Sequence, residues 1–168
     1  TANRPPVVYG SDESSETLPV LAQRMIAAYR KHVVEYAQDG QVLAIEEPQR
    51  FRLSRGVPPI EMRLDLLEMQ GEELIITDFK TAAMAWNDEK LREHLPQLML
   101  YALGCRALVR DLGIKRVVLR FVVLTKGKHP KVQNLEPKVT QQDVAKLKRL
   151  VADVWAAVQA GIFVQREG

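Results

Sequence analysis

Two apolar runs and the turn between them constrain this chain more than any other feature. The first is Ile60-Glu61-Met62-Arg63-Leu64-Asp65-Leu66-Leu67, and the second is Leu74-Ile75-Ile76-Thr77-Asp78-Phe79-Lys80. Gln70-Gly71 lies between them, and glycine accepts positive φ without steric cost, so the spacing predicts a β-hairpin. Closing it symmetrically about that dipeptide sets Arg63 opposite Asp78 and Asp65 opposite Ile76. Side-chain alternation then puts Asp65, Asp78 and Lys80 on one face. A one-residue slip would part the two acids. Two carboxylates and a lysine at the ends of otherwise buried strands are costly to keep there, which marks a candidate site.

The chemistry that suits this trio is metal-assisted phosphodiester hydrolysis. Two carboxylates and a backbone carbonyl form a hard oxygen site for magnesium or manganese rather than zinc. The cation polarises a phosphate oxygen and lowers the pKa of a bound water. Lys80 shares the face of Asp78 because the strand period is two, and it is suited to orient that water or to stabilise charge on phosphorus. Phe79, between them, offers its carbonyl to the metal while its ring enters the core. A plainer reading of the same residues is a solvent-facing Arg63/Asp78 pair and a solvated Lys80, on a sheet with one wet face.

A loop follows to about Asn87, then a helical pattern from Asp88 to about Leu112. Within it Gln97 and Tyr101 stand four apart and share a helix face, while Leu98, Leu100 and Leu103 are apolar. The run from Leu64-Asp65 through Ile76-Thr77-Asp78-Phe79-Lys80-Thr81 to Gln97-x-x-x-Tyr101 resembles the RecB-like nucleases of the PD-(D/E)XK superfamily. Those proteins carry an aspartate ending one strand, a D/E-x-K on the next and a Q-x-x-x-Y on the following helix. The flanks Leu43-Ala44-Ile45-Glu46-Glu47 with Phe51, and Ala160-Gly161-Ile162-Phe163, also fit.

The resemblance implies an α/β, restriction-endonuclease-like core of order αβββαβ. Its central mixed sheet is flanked by helices, and here an additional C-terminal helix follows. It implies Asp65 and Asp78 as ligands of Mg2+ or Mn2+, with the Phe79 carbonyl, and Lys80 as the catalytic lysine. Gln97 and Tyr101 would position the nucleic-acid strand or the active-site loop. A histidine on a helix before the first strand often adds a ligand in this family. His32 is placed on such a helix, where a half-exposed histidine favoured by the helix dipole is the competing reading. Glu47 is a further carboxylate candidate, or a brace for the sheet. The implied function is DNA hydrolysis, exonuclease rather than endonuclease, in repair or recombination, with a helicase or another repair component as partner. The alternatives are a catalytically inactive domain of the same fold that binds DNA or a protein, and a metal-independent interaction domain whose acids are structural.

The periodicity supports that order independently. Residues 1–16 read as a flexible N-terminal arm and residues 17–168 as one nuclease-like domain, either whole or a piece of a larger protein. Leu18, Leu21, Met25, Ile26, Tyr29 and Val33 stripe a first helix, from Thr17 to about Gln38. Strands are expected at about 41–53, 59–69, 73–80 and 116–124. Thr140 and Asp143 form a capping-box variant opening a last helix that ends at Gly161. The 168 residues, 46% hydrophobic, suffice for one sizeable core, and a net charge of +3 mildly favours a polyanionic partner.

No stretch is apolar enough to span a membrane, and the expected setting is the cytoplasm, at the nucleoid if the source is prokaryotic. Cys105 is the sole cysteine, expected in the core. That leaves no iron–sulfur cluster within this chain, although many RecB-like nucleases carry one beyond a segment like Ala160–Phe163. His94 and His129 read as surface residues. Lys126, Lys128 and Lys131 form a basic cluster placed to hold a phosphate backbone.

Overall fold

The computed structural model describes Gly10, residues 13–36 and residues 40–162. The expected N-terminal arm therefore lies mostly outside the described residues, as does Phe163 of the C-terminal flank. The chain runs α1 (Thr17–Tyr36), β1 (Gln41–Ile45), β2 (Pro48–Phe51), β3 (Ile60–Arg63), β4 (Leu66–Gln70), β5 (Glu73–Ala82), α2 (Asp88–Gly104), α3 (Arg106–Asp111), β6 (Arg116–Thr125), β7 (Val132–Leu135) and α4 (Gln141–Gln159). Five strands form a mixed sheet in the order β1-β4-β5-β6-β7, parallel only between β5 and β6. A parallel pair needs a crossover, which α2 and α3 supply. The αβββαβ core with a C-terminal helix is thus present.

The turn between β4 and β5 sits one position later than expected. Gln70 pairs with Glu73, so the two loop residues are Gly71 and Glu72, with Gly71 at φ 56°. Glycine at the first loop position is the type II′ pattern, and it moves the register by two. Leu66 faces Thr77, Leu67 faces Ile76, and the ladder carried one step further brings Asp65 opposite Asp78. Arg63 does not face Asp78. It pairs with Pro48 in a second sheet, which excludes the solvent-facing Arg63/Asp78 pair. A shift of two keeps every side chain on its face, so the grouping of Asp65, Asp78 and Lys80 survives it.

The first apolar run and the segment paired with it, residues 41–51, bend at one place, whereas the second run is the unbroken β5. The pairing of Ala44 with Leu67 and of Ile45 with Leu66 continues as Pro48 with Arg63 through Phe51 with Ile60, without a change of register. Glu46 takes φ 49° at the crossing, and its N–H donates to the Asp65 carbonyl at 3.2 Å. Beyond this kink β2 and β3 peel away as a separate two-stranded sheet. Gly104 of α2 accommodates them: a Cβ there would meet Met62 Sδ at 2.8 Å and Phe51 Cδ1 at 3.0 Å.

The core lies between the sheet and α2. Leu64, Leu67, Leu74, Ile76, Leu98, Met99, Leu103, Phe121 and Val123 form it, joined by Leu147 of α4. Cys105 is buried there as expected, its thiol pushed up to about 11 by burial, and it breaks the motif helix into α2 and α3. The opposite face, with Ile75, Val118 and Val122, meets α1. Its sheet-facing stripe is Leu18, Leu21, Met25, Tyr29 and His32, whereas Ile26 and Val33 are exposed. The Phe79 ring also lies on this side, half-buried and edge-on to Tyr29 at 5.5 Å, rather than in the main core.

Candidate active site

Peeling away β3 opens a gap beside β5. Residues 73–77 of β5 are hydrogen-bonded on both sides, but residues 78–82 pair only with β6. The vacated edge is where the candidate residues gather. Asp65, just before β4, turns its carboxylate across the gap, and Oδ2 accepts the Phe79 N–H at 2.7 Å. A side chain thereby replaces the next rung of the ladder. In extended backbone the N–H and C=O of one residue point to the same edge. The Phe79 carbonyl therefore faces the opening with Asp65 and away from β6.

Asp78 and Lys80 project toward α2. Asp78 is 1% exposed, and its Oδ2 lies 2.8 Å from Lys80 Nζ. That approach is an ion pair by distance, but Oδ2 takes no hydrogen bond in proper geometry. Lys80 Nζ also donates to Gln97 Oε1 at 2.9 Å, and Gln97 Nε2 donates to the Tyr101 hydroxyl at 2.7 Å. Asp78, Lys80, Gln97 and Tyr101 are thus one continuous row from strand to helix. Asn87 sets the start of that helix, its side chain accepting from the Lys90 N–H as an N-cap.

Burial raises the pKa of Asp78; the Lys80 ammonium pulls it back, and the Asp65 charge raises it again. Burial raises that of Tyr101 as well, so its phenol is neutral at physiological pH. The Tyr101 ring is 7% exposed and belongs to the core, which leaves the hydroxyl as its polar contribution. Lys80 donates one N–H to Gln97 and lies at ion-pair distance from Asp78, which leaves it donors for a ligand.

These residues fit a hard divalent cation. Asp78 has a buried carboxylate oxygen lacking a hydrogen-bond donor, a second carboxylate couples to it electrostatically, and a backbone carbonyl opens onto the same gap. Among the described residues, no three His, Cys, Asp or Glu side chains converge into a metal-binding group.

The other candidates lie elsewhere. His32 is on the α1 side of the sheet with Phe79 and Thr77, its Nε2 at 3.0 Å from Asn134 Nδ2. Glu47 is exposed, in the bend between β1 and β2. His129 and the lysines at 126, 128 and 131 are exposed around the β6–β7 turn, as expected. His94, read as a surface residue, is only partly exposed. It is half-buried and stacked on Trp86 at 4.5 Å, and burial lowers its pKa. Its spacing from Gln97 and Tyr101 was a readable signal for their shared helix face, though not for the stack on Trp86.

The sequence matches the PD-(D/E)XK nuclease superfamily over residues 4–168, and the chain belongs to that superfamily. Nucleases of this kind generally use divalent metal ions and act on nucleic acid. No curated protein sequence matches it significantly. Among solved structures, a presumed exonuclease from Eubacterium rectale shares the fold with a TM-score of 0.58 at 10% identity, over 93% of this chain and 59% of that one. The structure of SSO0001 is more distant, with a TM-score of 0.41 at 11% identity, over 84% of this chain and 62% of that one. The chain thus spans about three-fifths of the length of either structure.

Proposed function

We propose that residues 17–168 form a RecB-like, Mg2+- or Mn2+-dependent deoxyribonuclease domain of exonuclease type. The observation that carries this is the row Asp78–Lys80–Gln97–Tyr101 ending at a gap that Asp65 and the Phe79 carbonyl also face. Asp65, Asp78 and the Phe79 carbonyl would hold the cation, which supplies Lewis acidity toward phosphate and a more acidic water. The chain's own groups do the remaining work. Gln97 and Asp78 hold the Lys80 ammonium so that a remaining N–H meets the attacking water or a phosphate oxygen. The Tyr101 hydroxyl accepts from Gln97, so its own O–H can be donated to the strand. Asp65 locks the Phe79 peptide, which keeps the carbonyl at the opening.

In this reading the protein works in DNA repair or recombination with a helicase or another repair component, in the cytoplasm, at the nucleoid in a prokaryote. Incubating linear DNA with the wild type in Mg2+ or Mn2+, beside Lys80→Ala, tests the assignment. Cleavage by wild type alone is expected, and equal cleavage by both removes Lys80 from the mechanism.

One observation favours a second reading, a catalytically inactive domain that binds DNA or a protein. The Lys80 ammonium sits directly on the Asp78 carboxylate, and two acids alone make a sparse ligand set. DNA binding without cleavage in either metal would select it.

A further inference from the structure

The face of α2 that carries Gln97 and Tyr101 has one more polar member. His94 precedes them by three and seven positions, the spacing that aligns side chains along one side of a helix. Since Lys80 holds Gln97, that side looks onto the end of β5, and His94 stands one turn nearer the start of α2. Lys80 and Asp78 both act electrostatically on its ring, as do Lys90 and Glu93 of its own helix.

The ring is held in place. It lies nearly parallel to Trp86, with 15° between planes. Trp86 is buried, tilted against Phe121 at 5.2 Å, and clamped at both backbone groups by one amide of β7. Gln133 Oε1 accepts the Trp86 N–H at 2.8 Å, and Gln133 Nε2 donates to the Trp86 carbonyl at 3.0 Å. Among the described residues nothing hydrogen-bonds the ring nitrogens of His94. A fixed ring with unspent polar atoms, beside a row aimed at a phosphate, is suited to bind the same strand.

We propose that His94 is a substrate-contacting residue, donating a ring N–H to a backbone phosphate of the nucleic acid one step from the bond addressed by Lys80. This rests on the nuclease reading above. Burial keeps the imidazole neutral at physiological pH, with one N–H to give. The competing role is packing alone, with His94 serving only as a lid on Trp86.

The test compares full-length wild type, His94→Ala and His94→Gln. Cleavage kinetics in Mg2+, binding of a fluorescein-labelled oligonucleotide in EDTA, and Tm are measured for each. His94→Ala is expected to raise KM and Kd roughly fivefold, the scale of one lost hydrogen bond, with kcat within about twofold. His94→Gln retains an N–H donor but not a flat ring, and it is expected to recover most of that loss. Unchanged KM and Kd in His94→Ala overturn the proposal. A Tm loss with normal kinetics per folded molecule, or no recovery in His94→Gln, overturns it in favour of packing. Wild type that neither binds nor cleaves DNA overturns the nuclease reading as well.

Discussion

β5 sends polar side chains to both faces of the sheet, and the two faces treat them differently. Toward α2, Asp78 and Lys80 enter a connected row that reaches Gln97 and Tyr101 and ends at an open strand edge. Toward α1, Thr77 lines a cavity of about 290 Å3 with Tyr29, His32, Glu68, Arg120 and Asn134. There Arg120 meets Glu136 at 2.8 Å, His32 meets Asn134, Tyr29 meets Phe79, and the Thr77 hydroxyl has no hydrogen-bond partner. Both faces bury polarity, so buried polarity alone does not mark a site. What distinguishes the α2 face is a lysine held by Gln97 beside Asp78, with donors left over at a gap in the ladder, which can act on something that arrives.

The largest expected effect on this contrast comes from Lys80→Ala. Turnover should fall a hundredfold or more, on the order of 3 kcal/mol, while manganese affinity is nearly kept, because the lysine acts on water and phosphate. Unchanged turnover would leave the row with no more standing than the α1 face.

Gln97→Ala combined with Tyr101→Phe removes the two polar ends and spares the buried ring. Cleavage efficiency should drop roughly tenfold, about 1.4 kcal/mol, with little change in Tm. Full truncation of Tyr101 would confuse the test, since its ring is core and its loss costs roughly 3 kcal/mol or more of stability by itself.

Asp78→Asn should stabilise the metal-free protein at neutral pH, because burial disfavours the ionised carboxylate more than Lys80 favours it. The folded state holds the Asp78 proton more tightly than the unfolded chain does. Its contribution to stability is therefore most favourable below the ordinary carboxylate pKa, and declines as pH rises through the raised one. Denaturant melts across pH 4 to 8 should show that decline in wild type and its loss in the variant (range chosen to span the carboxylate transition). Identical profiles would contradict the cost assigned to this carboxylate.

Thr77→Val tests the other face and should do least. Stability should stay within about 1 kcal/mol, or rise slightly, because the hydroxyl is already unpartnered, and cleavage should be unaffected. A large loss of activity would mean that the α1 face belongs to the site.

The strand pattern made the hairpin legible because Leu74, Ile75, Ile76, Leu64 and Leu67 are apolar residues that the fold buries. The register was misplaced, since Gly71 serves as the first loop residue and a dipeptide signal does not say which position it occupies. The kink at Glu46 and Asp65 left no mark: neither residue type demands a bend, and the pairing runs through it unshifted. β7 was missed because Val132-Gln133-Asn134-Leu135 is short and half polar, held as an edge strand by its single neighbour β6. That Asp65, Asp78 and Lys80 share a face was readable from strand parity, and that Gln97 and Tyr101 do from helix spacing; their selection as site residues came from the family resemblance. The Trp86–His94 stack was not readable, because it depends on where the loop after β5 is clamped by Gln133, a contact between residues 47 apart.

The central claim is that the gap beside β5 is a cation site built on Asp65 and Asp78, and calorimetric titration of manganese into wild type and Asp78→Ala tests it most directly. Wild type is expected to bind with a measurable heat that Asp78→Ala abolishes. Equal binding by the two proteins, or none by wild type, would contradict it.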